Sequence, residues 1–527
     1  MRKFSSYGPV DRDLHYYVSR EHLIQSACTQ LLGENLRKGG HYITVWAPRQ
    51  CGKSWIMNQV LWKLDENKDF HVVKMELEYL RNLSDLDRIV QNVGKDLVKY
   101  LGIKDVTVNT PDDFYRLFSK ETLDKPLILI LDEFDCLTEE AINSFAGIFR
   151  NIWNIRQKDP NPTEKKEYLL HGVALIGVRS VLGIENVKGS PFNVQRGLNI
   201  PNLTSDEVDH MFRWYERESG QKVDREVIDR VCYETGGQPG LVSWFGELLT
   251  ETYNRGNDAI TSQDMEYVFA RAIQLLPNNN ILNIISKAKQ EPYKQTVLEL
   301  FRTDKKQKFT FDDKNLNFLY MNGVIDTEEI GNTIYVRFSN PFTQKRLFNY
   351  FSNELFREMG RIFTPFEDMG DTITETGLNI KNLMRRYEKH IGANRSWMFR
   401  EAPRRSDLRI MEAVFHFNLY EYLRGFLDRK KARVWPEFPT GNGKIDIFIQ
   451  YAGKTHGLEV KSYTDESDFR DAIRQAAKYG KSLGLSEIYL IEFVQSVPDE
   501  YREKFETPVT DDETGLTVFP VFVATGE

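Results

Sequence analysis

Residues 41–64 read HYITVWAPRQCGKSWIMNQVLWKL, and this stretch decides the first half of the chain. The apolar, β-branched run 41–46 predicts a strand, and 54–64 has helical periodicity. Between them lies Ala47-Pro-Arg-Gln-Cys-Gly-Lys-Ser54, which fits G-x-x-x-x-G-K-[ST] except for Ala47 at the first glycine. Gly52 would let the backbone approach phosphates that rest on the N-terminus of the next helix. Lys53 would reach the β- and γ-phosphates and Ser54 would offer its hydroxyl to Mg²⁺, with Arg49, Gln50 and Cys51 completing the loop. A chance Gly-Lys-Ser before a core helix is the bland alternative.

Downstream sequence weighs against chance. PLILILDEFDCL (126–137) carries an unbroken apolar run, as in a strand buried on both faces of a parallel sheet. Asp132 and Glu133 stand at its C-terminal end, where open α/β sheets bind ligands. Asp132 is expected to hold Mg²⁺ through water and Glu133 to orient or deprotonate the attacking water. The alternative is that Asp-Glu caps a helix starting near Thr138. A further strand, YLLHGVALIGVRSVL (168–182), brings Arg179 to the same edge, either as a γ-phosphate sensor or as a carboxylate partner. In TSDEVDHMFRWYERESG (204–220), Thr204 and Glu207 predict a capping box. In YETGGQPGLVSWFGELL (233–249), Gly236-Gly237-Gln238-Pro239 breaks the chain before another helix.

Over residues 15–345 these pieces resemble the AAA-like ATPases of the STAND and archaeal type: YYVSRE (16–21), APRQCGKS, LILDEFD, GVR and TGGQPG. The resemblance implies ATP and Mg²⁺ as cofactors, and an adenine framed by Arg20 and Pro239. Loops of that family often carry Pro-Arg, which accommodates Ala47. Residues 293–351 resemble the winged helix that follows such a module. A motor or loader of this type would be an oligomer with an arginine supplied in trans, for which Arg150 and Arg156 are the candidates.

The chain changes character after residue 350. Residues 352–395 read as a helical connector without a strong apolar face. The span 381–433 carries 14 Lys/Arg against 6 Asp/Glu in a chain of net charge −7. Arg404, Arg405 and the interspersed Tyr387, Trp397, Phe399 and Tyr420 suit a phosphate backbone and unstacked bases, although a solvated helix face is the plainer reading of any one arginine. Then GKIDIFIQYAGKTHGLEVKSY (443–463) predicts a hairpin turning at Tyr-Ala-Gly-Lys. Asp446 opens its first strand. Glu459 and Lys461 share one face of the second, while Leu458 and Val460 enter a core. Oxygen ligands of this kind suit Mg²⁺ or Mn²⁺. A surface salt-bridge cluster is the alternative.

The neighbours extend this constellation. Glu412 lies on the helix DLRIMEAVFHFNLYEYLRGFL (407–427), Glu437 ends a strand in KARVWPEFPTGNGKIDIFI (431–449), and Gln475 and Tyr479 share a helix face in FRDAIRQAAKYGKSLG (469–484). Over residues 396–527 the order resembles the PD-(D/E)XK nuclease superfamily. That resemblance implies metal-coordinating or metal-adjacent roles for Glu437, Asp446 and Glu459, a nucleophile-orienting Lys461, and DNA contact by Gln475 and Tyr479. Ile445 stands where the superfamily's name has proline.

The expected architecture is α/β multidomain. A P-loop parallel-sheet ATPase core (1–200) is followed by a helical lid (201–284), a winged-helix-like domain (285–351), the connector (352–395) and a restriction-endonuclease-like α/β domain (396–527). Four scattered cysteines, Cys28, Cys51, Cys136 and Cys232, suit a reducing cytosol. No 18-residue apolar stretch occurs, so no membrane span is expected, and the location expected is cytoplasmic. The expected activity is an ATP switch controlling a DNA nuclease, with DNA, a homo-oligomer and an activating ligand or protein as partners. A regulatory ATPase with a non-cutting nuclease fold and a DNA-moving ATPase are the alternatives.

Overall fold

A computed structural model describes residues 1–526, apart from 178–194, 255, 257, 302–305, 364–366, 405–409, 431, 441–442 and 464. Arg179 and Arg405 therefore lie outside the described residues, and Glu412 and Glu437 are described by backbone alone. The chain divides into two compact bodies, Met1–Ile284 with Thr310–Ile325, and Ile285–Phe309 with Asp326–Glu527.

In the first body β1 (Tyr42–Trp46), β2 (His71–Glu76), β3 (Leu127–Asp132), β4 (Leu170–Gly177) and β5 (Gln195–Asn199) form a parallel sheet of order β2-β3-β4-β1-β5. All six residues of β3 are buried because helices cover both faces. Leu127, Leu129 and Leu131 join one core with Val73, Phe114, Phe145 and Phe149. Ile128 and Ile130 join the other with Ile43, Ile56, Val60 and Ile176. The period of two in β3 is thus read by two different apolar layers.

The lid begins at Thr204, whose side chain and Glu207 form the expected capping box of helix Ser205–Ser219. Val208, Met211, Phe212 and Tyr215 bury its inner face. Helix Arg225–Thr235 ends at Gly236 and Gly237, both at positive φ, and a Cβ on Gly237 would lie 2.0 Å from the Leu203 oxygen. Pro239 then opens helix Pro239–Glu247.

Arg156 cannot serve as an arginine supplied in trans. Only 3 % exposed, it donates to the Tyr168 oxygen and, at 2.6 Å, to Thr163 Oγ1. Arg150 is half-buried on the same helix, Glu139–Lys158.

The segment 285–351 read as one winged helix falls in both bodies. Within it, Tyr320 packs against Trp46, and Gly323 lies so close to Pro48 that a Cβ would meet the proline ring at 2.8 Å. These contacts join 310–325 to the phosphate loop. The strands β6 (Ile325–Ile330) and β7 (Thr333–Phe338) form a two-stranded wing that exposes Glu328, Glu329, Ile330 and Ile334. Its charges are largely paired, Glu328 with Lys306 and Asp326 with Arg337.

In the second body a small pair, β8 (Ile373–Thr374) and β9 (Gly377–Leu378), precedes a six-stranded sheet. Its strands are β10 (Arg433–Thr440), β11 (Gly443–Tyr451), β12 (Lys454–Ser462), β13 (Glu487–Val494), β14 (Val509–Thr510) and β15 (Thr517–Ala524), in the order β10-β11-β12-β13-β15-β14. The β10-β11-β12 pairings are antiparallel and β12-β13-β15 parallel. Helix Glu466–Ser482 seats Phe469, Ile473, Ala476 and Ala477 on Ile488, Leu490 and Val518.

The connector reading needs correction. Helix Ile380–Met398 buries Ile380, Leu383, Met384, Tyr387 and Ile391, and Tyr387 packs on Phe493 of β13. The stacking reading fails with it: Tyr387, Phe399 and Tyr420 are 0 %, 3 % and 3 % exposed, leaving Trp397 as the accessible ring of the four. Arg385 is engaged by Glu506 and the Phe522 oxygen, Arg386 by Glu367 and Asp371, and Arg424 by Glu421. Among the described residues no helix is long and apolar enough to cross a membrane.

Candidate functional site

The loop after β1 is built by two residues in the left-handed region, Gln50 at φ 58° and Gly52 at φ 86°, and helix Lys53–Asp65 starts immediately behind them. A Cβ on Gly52 would meet nothing within 4 Å, so the space beside the loop at this residue is open. Lys53 is buried and folds back on its own loop, donating to the Ala47 oxygen at 2.9 Å and the Pro48 oxygen at 3.0 Å. Ser54 is the second residue of that helix, half-buried. Arg49 and Gln50 are exposed, whereas Cys51 is buried with its thiol toward Asn202 Oδ1, 3.8 Å away.

The lid grips this loop through its glycine-rich turn. Gln238 Nε2 donates to the Arg49 oxygen at 2.9 Å, and the Gly240 amide to the Gln50 oxygen at 3.1 Å. Pro239, the residue singled out in the sequence, sits between these two contacts as the first residue of its helix. Arg20 is buried and ties the chain ahead of helix Glu21–Leu32 to the start of the lid. It donates to the oxygens of Pro201 (2.6 Å) and Asn202 (3.1 Å) and pairs with Glu207 at 3.2 Å.

One strand, β4, separates β1 from β3, so Asp132 stands at the same sheet edge as the loop but two strands away. Its Oδ1 accepts the Glu133 amide at 3.0 Å and its Oδ2 pairs with Lys74 at 2.9 Å. Glu133 itself is in the left-handed region, φ 54°, a conformation that non-glycine residues hold at a cost and that clusters at functional sites. Its carboxyl is raised above the ordinary glutamate range, first by burial and then by Asp135, with Lys53 opposing. The capping alternative for Asp132-Glu133 does not hold: Thr138 Oγ1 caps helix Glu139–Lys158, accepting from the Ala141 amide.

A second constellation lies in the second body, where β11 and β12 part. Their pairing runs from Tyr451↔Lys454 to Ile447↔Leu458 and stops there. Ala452 (φ 47°) and Gly453 (φ 75°) make the tight turn at the closed end. Past Leu458, β12 remains paired with β13 while β11 remains paired with β10, so the two strands form a fork. Inside the fork Asp446 Oδ2 takes the Val460 amide at 2.7 Å, and Glu459 and Lys461 pair at 3.2 Å. Asp446, Glu459 and Lys461 are 1 %, 0 % and 6 % exposed. These are buried charges, and the surface-cluster alternative is excluded.

Helix Glu466–Ser482 overlies the fork. Gln475 Nε2 donates to Tyr479 Oη at 2.5 Å; burial raises the phenol, that hydrogen bond and the Lys461 charge oppose the rise, and the Glu459 and Asp446 charges add to it. Glu437 belongs to β10, which runs on to Thr440 instead of ending there; its neighbours Pro436 and Phe438 pair with Ile447 and Ile445, which flank Asp446. Glu412 is the first residue of helix Glu412–Leu427. Arg404 is exposed and forms a backbone bridge with Ile410. Among the described residues no group of three or more His, Cys, Asp or Glu is gathered as a ready-made metal site.

Sequence reasoning missed four residues. Two are Lys74 on β2, which pairs with Asp132, and Gln238, read in the sequence only as part of the chain break before a helix. His416, wholly buried, lies 3.3 Å from the Val460 oxygen and 3.9 Å from Asp446 Oδ2. Glu492, 1 % exposed, is the β13 partner of Lys461 in the parallel register. The i, i+2 alternation from Leu490 to Glu492 could have raised it.

Comparison with known proteins agrees with the first body. Residues 5–255 match a family described as the AAA-like domain. An uncharacterized WD repeat-containing protein of Synechocystis sp. is 26 % identical over 158 residues, covering 29 % of this chain and 12 % of that protein. The chain thus spans about an eighth of the curated relative it matches. Similar solved structures include a Walker-type ATPase of Pyrococcus abyssi, at 14 % identity and TM-score 0.45, over 65 % of this chain and 99 % of that one. The Cdc6p protein of Pyrobaculum aerophilum is similar at 15 % identity and TM-score 0.37, over 67 % and 97 %. The ORC2 protein of Aeropyrum pernix is similar at 14 % identity and TM-score 0.40, over 66 % and 96 %. With its phosphate loop, its acidic strand end and its parallel α/β sheet, the segment 5–255 is an AAA-like P-loop ATPase domain.

Proposed function

We propose that this chain is an ATP-binding and ATP-hydrolysing switch that controls a metal-dependent DNA nuclease in its second body. The observation that carries the nuclease reading is the fork between β11 and β12, with Asp446, Glu459 and Lys461 buried on it. A fork opens the sheet just where two carboxylates and an ammonium converge, beneath a helix offering Gln475 and Tyr479.

In the ATPase domain, Gly52 and the helix behind it receive the phosphates and Lys53 exchanges its loop carbonyls for them. Asp132 and Ser54 are the oxygen donors for Mg²⁺, and hard oxygen donors fit that ion. Glu133 is the base for the attacking water. In the fork, Asp446 and Glu459, with Glu437 as a third donor, would hold Mg²⁺ or Mn²⁺. A divalent cation held there supplies charge neutralisation and a more acidic water. Lys461 orients the nucleophile, and Gln475 and Tyr479 position the strand. DNA is the substrate class because the nuclease superfamily resembled here usually acts on DNA. Arg404 and Arg405 are proposed to contact its backbone, Arg179 to sense the γ-phosphate, and Arg20 and Pro239 to frame the adenine. Defence against foreign DNA, a homo-oligomeric state, an activating ligand or protein and a cytoplasmic location belong to the same proposal.

One observation favours a second reading, a regulatory ATPase whose nuclease fold does not cut. Asp446, Glu459 and Lys461 are shut away from solvent, so cutting requires the fork to open. Incubating wild type, Lys53→Ala and Lys461→Ala with DNA, Mg²⁺ or Mn²⁺, with and without ATP, separates the readings. The switch reading expects ATP-dependent cleavage that either substitution removes. Cleavage that survives Lys461→Ala overturns the fork as the site, cleavage indifferent to ATP and to Lys53→Ala overturns the switch, and no cleavage under any condition supports the regulatory reading.

A further inference from the structure

Strand β2 places a lysine beside the acidic end of β3. Lys74 lies between Val73 and Met75, both buried, and its side chain is 6 % exposed. In the parallel register Lys74 pairs with Ile130 and Glu76 with Asp132, so Lys74 and Glu76 share a face of β2 at the acidic end of β3. The ammonium lies 2.9 Å from Asp132 Oδ2 and 3.4 Å from Glu76 Oε1. The two carboxylates are unlike. Asp132 is 3 % exposed and Glu76 75 %, so the contact that matters electrostatically is the buried one. The other oxygen of Asp132 is held by the Glu133 amide.

Both oxygens of the acidic strand end are therefore engaged by the protein itself. Lys53 is not the cation that does this, since its ammonium is committed to the Ala47 and Pro48 oxygens. A buried carboxylate and a buried ammonium each tolerate the interior only because the other is there.

We propose that Lys74 is a positioning residue that neutralises Asp132 in the nucleotide-free protein, so that a divalent cation enters the site only together with the phosphates of a nucleotide. The inference rests on reading Asp132 as the Mg²⁺ carboxylate. A free dication approaching Asp132 meets a fixed positive charge 2.9 Å from its ligand. A metal–nucleotide complex carries net negative charge, and for it the same ammonium is attractive. Lys74 thereby selects the complex over the free ion while keeping the Asp132 side chain oriented between uses.

The test uses the full chain, with Mn²⁺ as the probe and electron paramagnetic resonance as the readout, with and without a non-hydrolysable ATP analogue. Any Mn²⁺ held by the fork is common to all variants and cancels in the comparison. Wild type is expected to bind Mn²⁺ far more tightly with the analogue than without. Lys74→Met is expected to raise affinity for Mn²⁺ alone about tenfold or more, the scale of removing one nearby charge. Lys74→Arg should keep the wild-type value, and Lys74→Met with Asp132→Asn should lose the gain. If Lys74→Met does not fold, Lys74→Gln carries the same expectation with a polar group retained on Asp132. Normal analogue-dependent binding together with unchanged affinity for free Mn²⁺ in the Lys74 variants overturns this inference alone. Failure of wild type to bind Mn²⁺ with the analogue overturns the reading of Asp132 and this inference with it.

Discussion

Gln238 of the lid holds the main-chain oxygen of Arg49 in the phosphate loop at 2.9 Å, while the other end of the same amide caps its own helix. That second contact is Oε1 accepting from the Leu241 amide at 2.6 Å. One side chain thus couples the position of helix Pro239–Glu247 to the shape of the loop. Gln238→Ala loses both contacts and is expected to cost about 1–2 kcal/mol of stability together with a several-fold loss of nucleotide affinity. Gln238→Glu keeps the acceptor that caps the helix and removes the donor to Arg49. It should retain the melting temperature and still bind a fluorescent ATP analogue more weakly. Wild-type affinity in Gln238→Glu would show that the lid does not act on the loop through this contact.

Glu133 makes a pH prediction whose sign follows from its surroundings. Burial and Asp135 raise its carboxyl above the ordinary glutamate value of 4.5. A base works ionised, so ATP turnover should fall as pH drops through a value above the usual range. Asp135→Asn removes one of the charges that raise it and should move this acid limb to lower pH. Glu133→Gln should slow turnover about 100-fold or more with nucleotide affinity retained, the scale of losing a general base. An acid limb that ignores Asp135→Asn would assign it to another group.

The buried Arg156 network makes a stability prediction. Thr163 Oγ1 links Arg156 to His171 Nδ1 at 2.8 Å, and His171 Nε2 lies 3.0 Å from the Leu32 oxygen. Burial first, and the Arg156 charge second, lower the imidazole from 6.5 to about 3. The unfolded chain takes up this proton near its ordinary value and the folded chain does not, so stability is full above that value and falls as pH drops toward about 3. Urea unfolding between about pH 7 and about pH 4 should show this slope, and His171→Gln should flatten it. An unchanged slope in His171→Gln would place the acid sensitivity elsewhere.

What the sequence made legible follows from how local each signal is. The apolar run of β3 and the Gly52-Lys53-Ser54 turn declare themselves within a dozen residues, and the folded chain gives the same elements. The 381–433 block misled because charge composition does not record partners. Arg385 meets Glu506, 121 residues away, and Arg386 meets Glu367 and Asp371, which precede it. Burial of Glu506 opposes its ionisation, but its hydrogen bonds to Arg385 and the Phe522 amide hold the carboxyl below the usual range. Lys74 was unreadable for a related reason. HVVKME alternates like a strand with a wet face, and only the neighbouring end of β3 turns that face into a buried ion pair. The fork was half legible: the i, i+2 pairing of Glu459 and Lys461 could be counted, but the end of the β11–β12 ladder at Leu458 could not.

The Glu459–Lys461 pair separates structural from chemical roles in the fork. Both groups are buried, so Lys461→Ala removes the ammonium 3.2 Å from an interior carboxylate and should destabilise the second body by up to about 3–5 kcal/mol. Loss of cleavage in that variant alone would therefore be ambiguous. Glu459→Gln combined with Lys461→Met removes both charges and should regain most of the stability, because neutral replacements of a buried pair are often well tolerated. A double-mutant cycle on urea unfolding measures that coupling directly. Cleavage should stay absent in the stable double variant, since the metal would lose the Glu459 carboxylate and keep only Asp446 and Glu437, and no Lys461 ammonium remains to orient the nucleophile. Recovery of cleavage alongside recovery of stability would mean that the pair only holds the fork together and that the chemistry lies elsewhere.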